Sequence, residues 1–389
     1  MSDRPRYLSP RGFSVVELLV ASALTIGVAA VVFSAVASSE STFAVQTEAA
    51  DLQQRLRVAE TALRLDLEMA GAGPTIGPQA GSLHRALAAV LPYAIGSAPA
   101  TPRGDAITLI AVPPTFAQTT LAQPLAAGSN TAVVQMDPGC PLGSEACGLT
   151  AGMSVAVFDG TGAFDLFRVR GVSGLSVTLE ASGIRSARAH PPGSVIAEIQ
   201  VHTFLTEMDA GVDRLVRRTG IGGPGVPVAD HVVGLEFALF GDPEPPRVVA
   251  GASERPETTY GLRPPPGTEQ LPSHLPGENC LFSYVEGAHV PRLFALAKSE
   301  GSLVRLTDAQ LTDGPWCPDS GHPLRFDADL LRVRRVAVQL RVEAALDALR
   351  GPAGDLFAHP GTGQDARRFL PDVEAALSVS PANLLLSTR

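Results

Sequence analysis

From Phe13 to Phe33 the chain holds an apolar run of roughly 21 residues, about 31 Å as a helix and enough to cross a bilayer's hydrocarbon. Between Arg11 and Glu40 the only charged side chain is Glu17. Ahead of the run stand Arg4, Arg6 and Arg11 against Asp3, which by the positive-inside rule keeps the extreme N-terminus cytoplasmic and sends the bulk of the chain across the membrane. A lone carboxylate at the centre of such a helix costs on the order of 3 kcal/mol. The position of Glu17 therefore needs an explanation.

Three readings of this segment compete. One is a secretory signal cut at the A-x-A-like site Ala35-Val36-Ala37 before Ser38, but the apolar region exceeds the usual 7 to 15 residues. A second is a plain signal anchor, which accounts for the length and leaves Glu17 unexplained. A third is a cut after Gly12, which creates an amine on Phe13 four residues before Glu17. An ammonium and a carboxylate offset each other's desolvation in apolar surroundings when both are present and close.

The third pattern, R-G-F-S-V-V-E-L-L-V (Arg11–Val20), resembles the class III signal of type IV pilins and pseudopilins. The resemblance implies cleavage after Gly12 by a membrane prepilin peptidase, N-methylation of Phe13, and a role for Glu17 in assembly, its charge neutralised by the terminal amine of a neighbouring subunit. Many pilins carry a helix-kinking proline about twenty residues into the mature chain. Here Gly27 and Ser34 are the only comparable weak points.

Past the apolar run, Leu52, Leu56, Ala59, Leu63, Leu67 and Ala70 recur at spacings of three and four, while Gln53, Arg57, Glu60, Arg64 and Glu68 fall on the opposite face. This predicts an amphipathic helix, stopped by Gly71-Ala72-Gly73-Pro74. The stretch Asp51–Gly73 is also similar to the corresponding part of PilW-type minor pilins. A coiled-coil stalk is the competing reading, and the heptad is not sustained.

Short strands follow. ITLIAV, NTAVVQM, MSVAVF, LFRVRGV and LSVTLE lie at hairpin spacing, with Asp159-Gly160 and Gly171 to Gly174 as turn signals. Ala197–Leu205, Leu235–Phe240 and Arg335–Glu343 read as strands of a larger sheet; in the last, Val336, Val338, Leu340 and Val342 alternate with polar or small residues, predicting one buried face. A one-sided sheet needs a cover, and the amphipathic half of the first helix is its natural partner. The expected organisation is a leader (1–12), a helix (13–73, with 13–36 in the membrane or filament core and 40–71 amphipathic), a connector (74–104), a small antiparallel β module (105–200) and a β head (201–389). Nine prolines within 242–280 mark an insertion reaching about residue 325.

The 389 residues carry a net charge of −9 and a single lysine, Lys298, so no general attraction to a phosphate backbone exists and nucleic acid is not an expected partner. Cys140, Cys147, Cys280 and Cys317 form two locally spaced pairs without a metal-type C-x-x-C, favouring disulfides outside the cytoplasm. The glycine run Gly220–Gly225 fits G-x-G-x-x-G, but Pro224 and Pro227 forbid the helix such a fingerprint requires, so it reads as a hairpin loop. Asp159 and Asp165 bracket a segment with a weak calcium-loop look that lacks the alternating acids and terminal glutamate, and a hairpin turn is favoured. No catalytic motif, metal site or cofactor fingerprint emerges.

The sequence thus predicts an α+β protein: a long transmembrane and amphipathic N-terminal helix packed on an antiparallel sheet, with a small β-rich module and a proline-rich insertion. The resemblance implies a non-enzymatic minor pilin or pseudopilin of a type IV pilus or type II secretion pseudopilus. Its expected partners are prepilin peptidase, other major and minor pilins or pseudopilins and the inner membrane, with the head periplasmic before assembly into a filament. The competing class is a secreted or membrane-tethered enzyme or binding domain with an ordinary signal.

Overall fold

The apolar run and the amphipathic pattern after it form one helix, α1 (Val15–Met69, 55 residues). Residues with low rotamer cost in helices dominate it and no proline interrupts it. It passes through Gly27 and Ser34 without a break. It stops at Gly71, whose φ of 77 lies in the left-handed region that ends helices. In this computed structural model, residues 14–75, 77–95, 103–114, 117–159, 164–181, 189–243, 282–285, 288–291, 302–312 and 328–385 are described. Gly12, Phe13, Cys280, Cys317 and most of the proline-rich insertion lie outside them.

The strands, in order, are β1 (Val90–Leu91), β2 (Ala106–Ala111), β3 (Gln118–Thr120), β4 (Thr131–Val133), β5 (Ser154–Phe158), β6 (Phe164–Ser173), β7 (Ser176–Ala181), β8 (Val195–Asp209), β9 (Val212–Thr219), β10 (Gly225–Asp230), β11 (Val232–Gly241), β12 (Phe282–Val285), β13 (Ala288–Pro291), β14 (Val304–Leu306), β15 (Val333–Val342) and β16 (Val373–Val379). All named pairings are antiparallel. The architecture is therefore α+β, with a long apolar N-terminal helix and antiparallel sheets.

Two compact units divide the chain, Met1–Gln53 with Ala344–Pro371, and Gln54–Glu343 with Asp372–Arg389. In the first, the Glu48 carboxylate is buried and accepts a hydrogen bond from the Ala345 N–H at 2.5 Å. The long loop of this unit folds on itself. The Thr362 N–H donates to the Asp347 carbonyl, the Leu370 N–H to the Leu349 carbonyl, and Phe357 meets Phe369 edge to face at 5.7 Å.

In the second unit β8 is the hinge between two sheet regions. Its first residues pair with β3 and β5, its later ones with β2 and β9. The first region closes on itself: β3, β8, β5, β6, β7 and β4 pair in turn, and a bridge between Leu121 and Val134 joins the last to the first. This six-stranded barrel encloses Leu121, Val134, Val155, Val157, Phe167 and Ile196, among others, the inward residues that strand alternation selects. Because β8 runs through residue 200 unbroken, the strands on either side of that position share one sheet. The run Gly220–Gly225 turns β9 into β10.

The second sheet has the order β14-β11-β15-β16. The predicted faces of β15 are seen: Val336, Val338, Leu340 and Val342 are all buried. The expected neighbour Ala197–Leu205 lies instead in β8, held by β2, which pairs with it over 106–111. Arg332, fully buried, donates to the carbonyls of Asp242, Pro243 and Gln310 and to Asp329 Oδ1. It thereby satisfies carbonyls just beyond the end of β11 and that of Gln310.

Within this unit the amphipathic half of α1 buries Leu56, Ala59, Leu63, Leu67 and Ala70. Asp66 Oδ2 on its flank lies 2.7 Å from His202 Nδ1 on β8 and 3.6 Å from Arg217 Nη1 of β9. The Gly71 N–H donates to the Ile110 carbonyl and the Val112 N–H to the Ala72 carbonyl, tying the end of the helix to β2. The predicted amphipathic face is thus a buried face.

Candidate functional site

The start of α1 combines the features that ordinary soluble helices avoid. Val15–Val36, 22 residues, forms a helix long and apolar enough to cross a membrane, and none of it is buried by the rest of the chain. Val15, Val16, Leu18, Leu19, Ile26, Val31 and Phe33 are each more than 60 % exposed. A monomer that exposes so much contiguous apolar surface requires a lipid or protein environment for it. Glu17 is the only charge in this stretch.

The first turn explains how the carboxylate is held. The Ser14 N–H donates to Glu17 Oε2 at 2.9 Å and the Glu17 N–H donates to Ser14 Oγ at 3.1 Å. This is a reciprocal capping box, which satisfies two of the otherwise unpaired donors of a helix start. In hydrocarbon no water replaces them, so the cap matters more here than on a wet surface. The pattern S-x-x-E before an apolar run is its sequence signal, one that the charge of Glu17 taken alone does not reveal. About two turns further, Thr25 Oγ1 donates to the Ala21 carbonyl, satisfying its hydroxyl inside the apolar span. Gly12 and Phe13, the expected cleavage pair, lie outside the described residues.

Further along, α1 carries a second apolar strip. Val58, Leu65 and Met69 are 45 %, 58 % and 49 % exposed. At about 100° per residue they fall within roughly 40° of one another, opposite the buried Leu56, Ala59, Leu63 and Leu67. This half of the helix has one face spent on its own sheet and another left apolar.

The remaining predicted site residues lie elsewhere. Cys140 and Cys147 are joined in a disulfide across a short loop of the barrel. Asp159 follows β5 and Asp165 lies on β6, and between them stands the ring of His190. Among the described residues no group of three or more histidine, cysteine or acidic side chains is arranged to hold a metal ion. A deeper polar cluster went unforeseen: Arg334 Nη1 lies 2.8 Å from His84 Nε2 and Arg334 Nη2 lies 2.8 Å from Asp242 Oδ2, all three being buried. Burial, then the Arg334 cation, pushes His84 down to about 3, so it is neutral in the folded protein at ordinary pH.

No family model and no curated protein matches this chain.

Proposed function

We propose that this chain is a minor pilin or pseudopilin, a structural subunit that enters a type IV pilus or type II secretion pseudopilus through α1. The observation that carries the reading is a fully exposed apolar helix whose one charge, Glu17, sits at its first turn beside the R-G-F-S junction. A plain anchor has no use for a carboxylate there. A subunit whose neighbour presents a fresh N-terminal amine does, because the pair exchanges two costly desolvated charges for one neutral contact.

In this account prepilin peptidase cuts after Gly12 and the new amine on Phe13 is methylated. The precursor waits in the inner membrane with its head in the periplasm. During assembly the apolar span leaves lipid for the helices of other pilins or pseudopilins. The exposed strip Val58, Leu65 and Met69 supports this order of events, since it extends an apolar contact surface beyond the membrane-crossing segment. The large β-rich head, with its insertion, favours a low-copy subunit over the repeated building block of a filament.

The test is co-purification. An epitope-tagged chain expressed in a host with a type IV pilus or type II secretion machine is expected in sheared, washed filaments. Its confinement to the membrane fraction while filaments form normally would rule the proposal out.

A further inference from the structure

His190 is completely buried, and its two ring nitrogens face two different carboxylates. Nε2 lies 2.9 Å from Asp165 Oδ2, a hydrogen bond; Nδ1 lies 3.7 Å from Asp159 Oδ2, an ion-pair separation. Both carboxylates are themselves nearly covered, at 9 % and 12 % exposure. The backbone of His190 is fixed independently, exchanging two hydrogen bonds with Leu125.

Ionised carboxylates accept hydrogen bonds and do not donate them, so the hydrogen bond at Nε2 and the ion-pair contact at Nδ1 are both favourable only for the doubly protonated imidazolium. Neutral imidazole has one N–H. With the proton on Nε2, the Nδ1 lone pair points at the Asp159 carboxylate in a buried place where water does not screen the repulsion. The arrangement is also not a metal cage: the carboxylates lie against opposite nitrogens and do not converge on one point. Among the described residues, the charged groups acting on the ring are Asp159 after β5 and Asp165 on β6.

We propose that Asp159, His190 and Asp165 form a proton-operated latch, which holds the facing ends of β5 and β6 to the residue-190 segment while the ring is charged and loosens them when it loses its proton. Burial alone pulls the imidazole down, and the two carboxylates outweigh it, so His190 titrates above its ordinary value. A group raised in this way lends its stability below the ordinary imidazole range near 6.5 and withdraws it as pH rises through the raised value. The latch is therefore closed in mildly acidic to neutral conditions and weakened in alkali. It is independent of what the first helix does.

Hydrogen exchange of the full-length protein in detergent, corrected for the intrinsic pH dependence of amide exchange, reads the latch directly. Protection of amides in 154–158 and 164–168 is expected to fall as pH rises above about 6.5, with a limiting slope of about tenfold per pH unit for one linked proton. In His190→Gln the same amides should lose this pH trend and in Asp159→Asn, which keeps only the Asp165 contact, the slope should be smaller than in the parent, while those of β11 and β15 behave as in the parent. A parent protein with flat protection over this range, or a variant that keeps the parent's full slope, overturns the proposal. If His190→Gln does not fold, Asp159→Asn, which retains the Asp165 contact, decides the matter alone.

Discussion

Ser14 and Glu17 exchange hydrogen bonds through each other's backbone N–H, so the only charge in the apolar span is also the closing half of its N-terminal cap. Two roles coincide in one side chain. The carboxylate satisfies a backbone donor of its own chain, and in the proposed filament it meets the amine of another. Substitutions at Ser14 and at Glu17 separate these roles.

Removing the cap alone should loosen the first turn. Ser14→Ala is expected to cost about 1 kcal/mol of local helix stability, seen as faster exchange of the amides of residues 14–18 in detergent. Ser14→Thr should restore the parent rate. If Ser14→Ala leaves that exchange unchanged, the cap contributes nothing in the membrane-like state.

Glu17 variants divide charge from capping. Glu17→Gln keeps an oxygen that accepts from the Ser14 N–H but abolishes the ion pair, whereas Glu17→Val abolishes both. Each is expected to insert in the membrane and to be cut after Gly12, and each should enter filaments poorly, by roughly tenfold or more if the lost pairing amounts to about 1.4 kcal/mol. Quantitative immunoblotting of sheared filaments checks this. Incorporation of Glu17→Gln at the parent level would remove charge pairing from the account.

The two faces of α1 should respond differently. Leu63 and Leu67 are fully buried, and truncating either to alanine is expected to destabilise the head by about 3–5 kcal/mol. Leu65→Ser, on the exposed strip, should leave the melting temperature within the range of a neutral surface change, about ±0.5 kcal/mol, yet reduce filament incorporation. A large loss of stability for Leu65→Ser would mean that this strip belongs to the fold.

Arg334 gives a pH-dependent prediction of opposite sign to that of His190. His84 stays neutral in the folded protein and protonates freely once unfolded, so stability is fully present above pH about 6.5 and is lost as pH falls toward about 3. The melting temperature should decline over that interval, and His84→Gln should flatten part of the decline. Arg334→Met leaves the Asp242 carboxylate without its 2.8 Å partner and is expected to cost about 3–5 kcal/mol, measured by denaturant unfolding.

The disulfide closes a short loop, Cys140 and Cys147 being 7 apart in sequence. Loop-closure entropy for a ring of that size predicts that the double Cys→Ser variant loses about 2–3 kcal/mol. An unfolding midpoint unchanged between reduced and oxidised protein would contradict it.

What was legible in the sequence follows from the range of the interactions involved. The apolar run is legible from length and composition alone, and the amphipathic turns of α1 and the alternation along β15 are local patterns of period 3.6 and 2 whose predicted faces are buried. Cys140 and Cys147 are close enough in sequence for their pairing to be read from spacing. The barrel was read only as hairpins, because its closure depends on the bridge between Leu121 and Val134 and on the long β8 serving two sheet regions. The same distance hid His190, which stands 25 residues beyond Asp165 and faces it only once the barrel has closed. The strand Ala197–Leu205 was assigned to the sheet of β11 and β15 because its composition suits either, and its pairing with β2 leaves no trace in local pattern. At the candidate site, Glu17 was found through its rarity, and Ser14 was missed although S-x-x-E spells the cap.

The central claim turns on where the mature chain begins. Mass spectrometry of the N-terminal peptide, from protein expressed beside a prepilin peptidase, is expected to find Phe13 as the first residue, carrying one methyl group on its amine. A chain beginning at Ser38, or one retaining Met1, would contradict the account, because Glu17 would then have been removed with a signal peptide or left without the amine it is placed to meet.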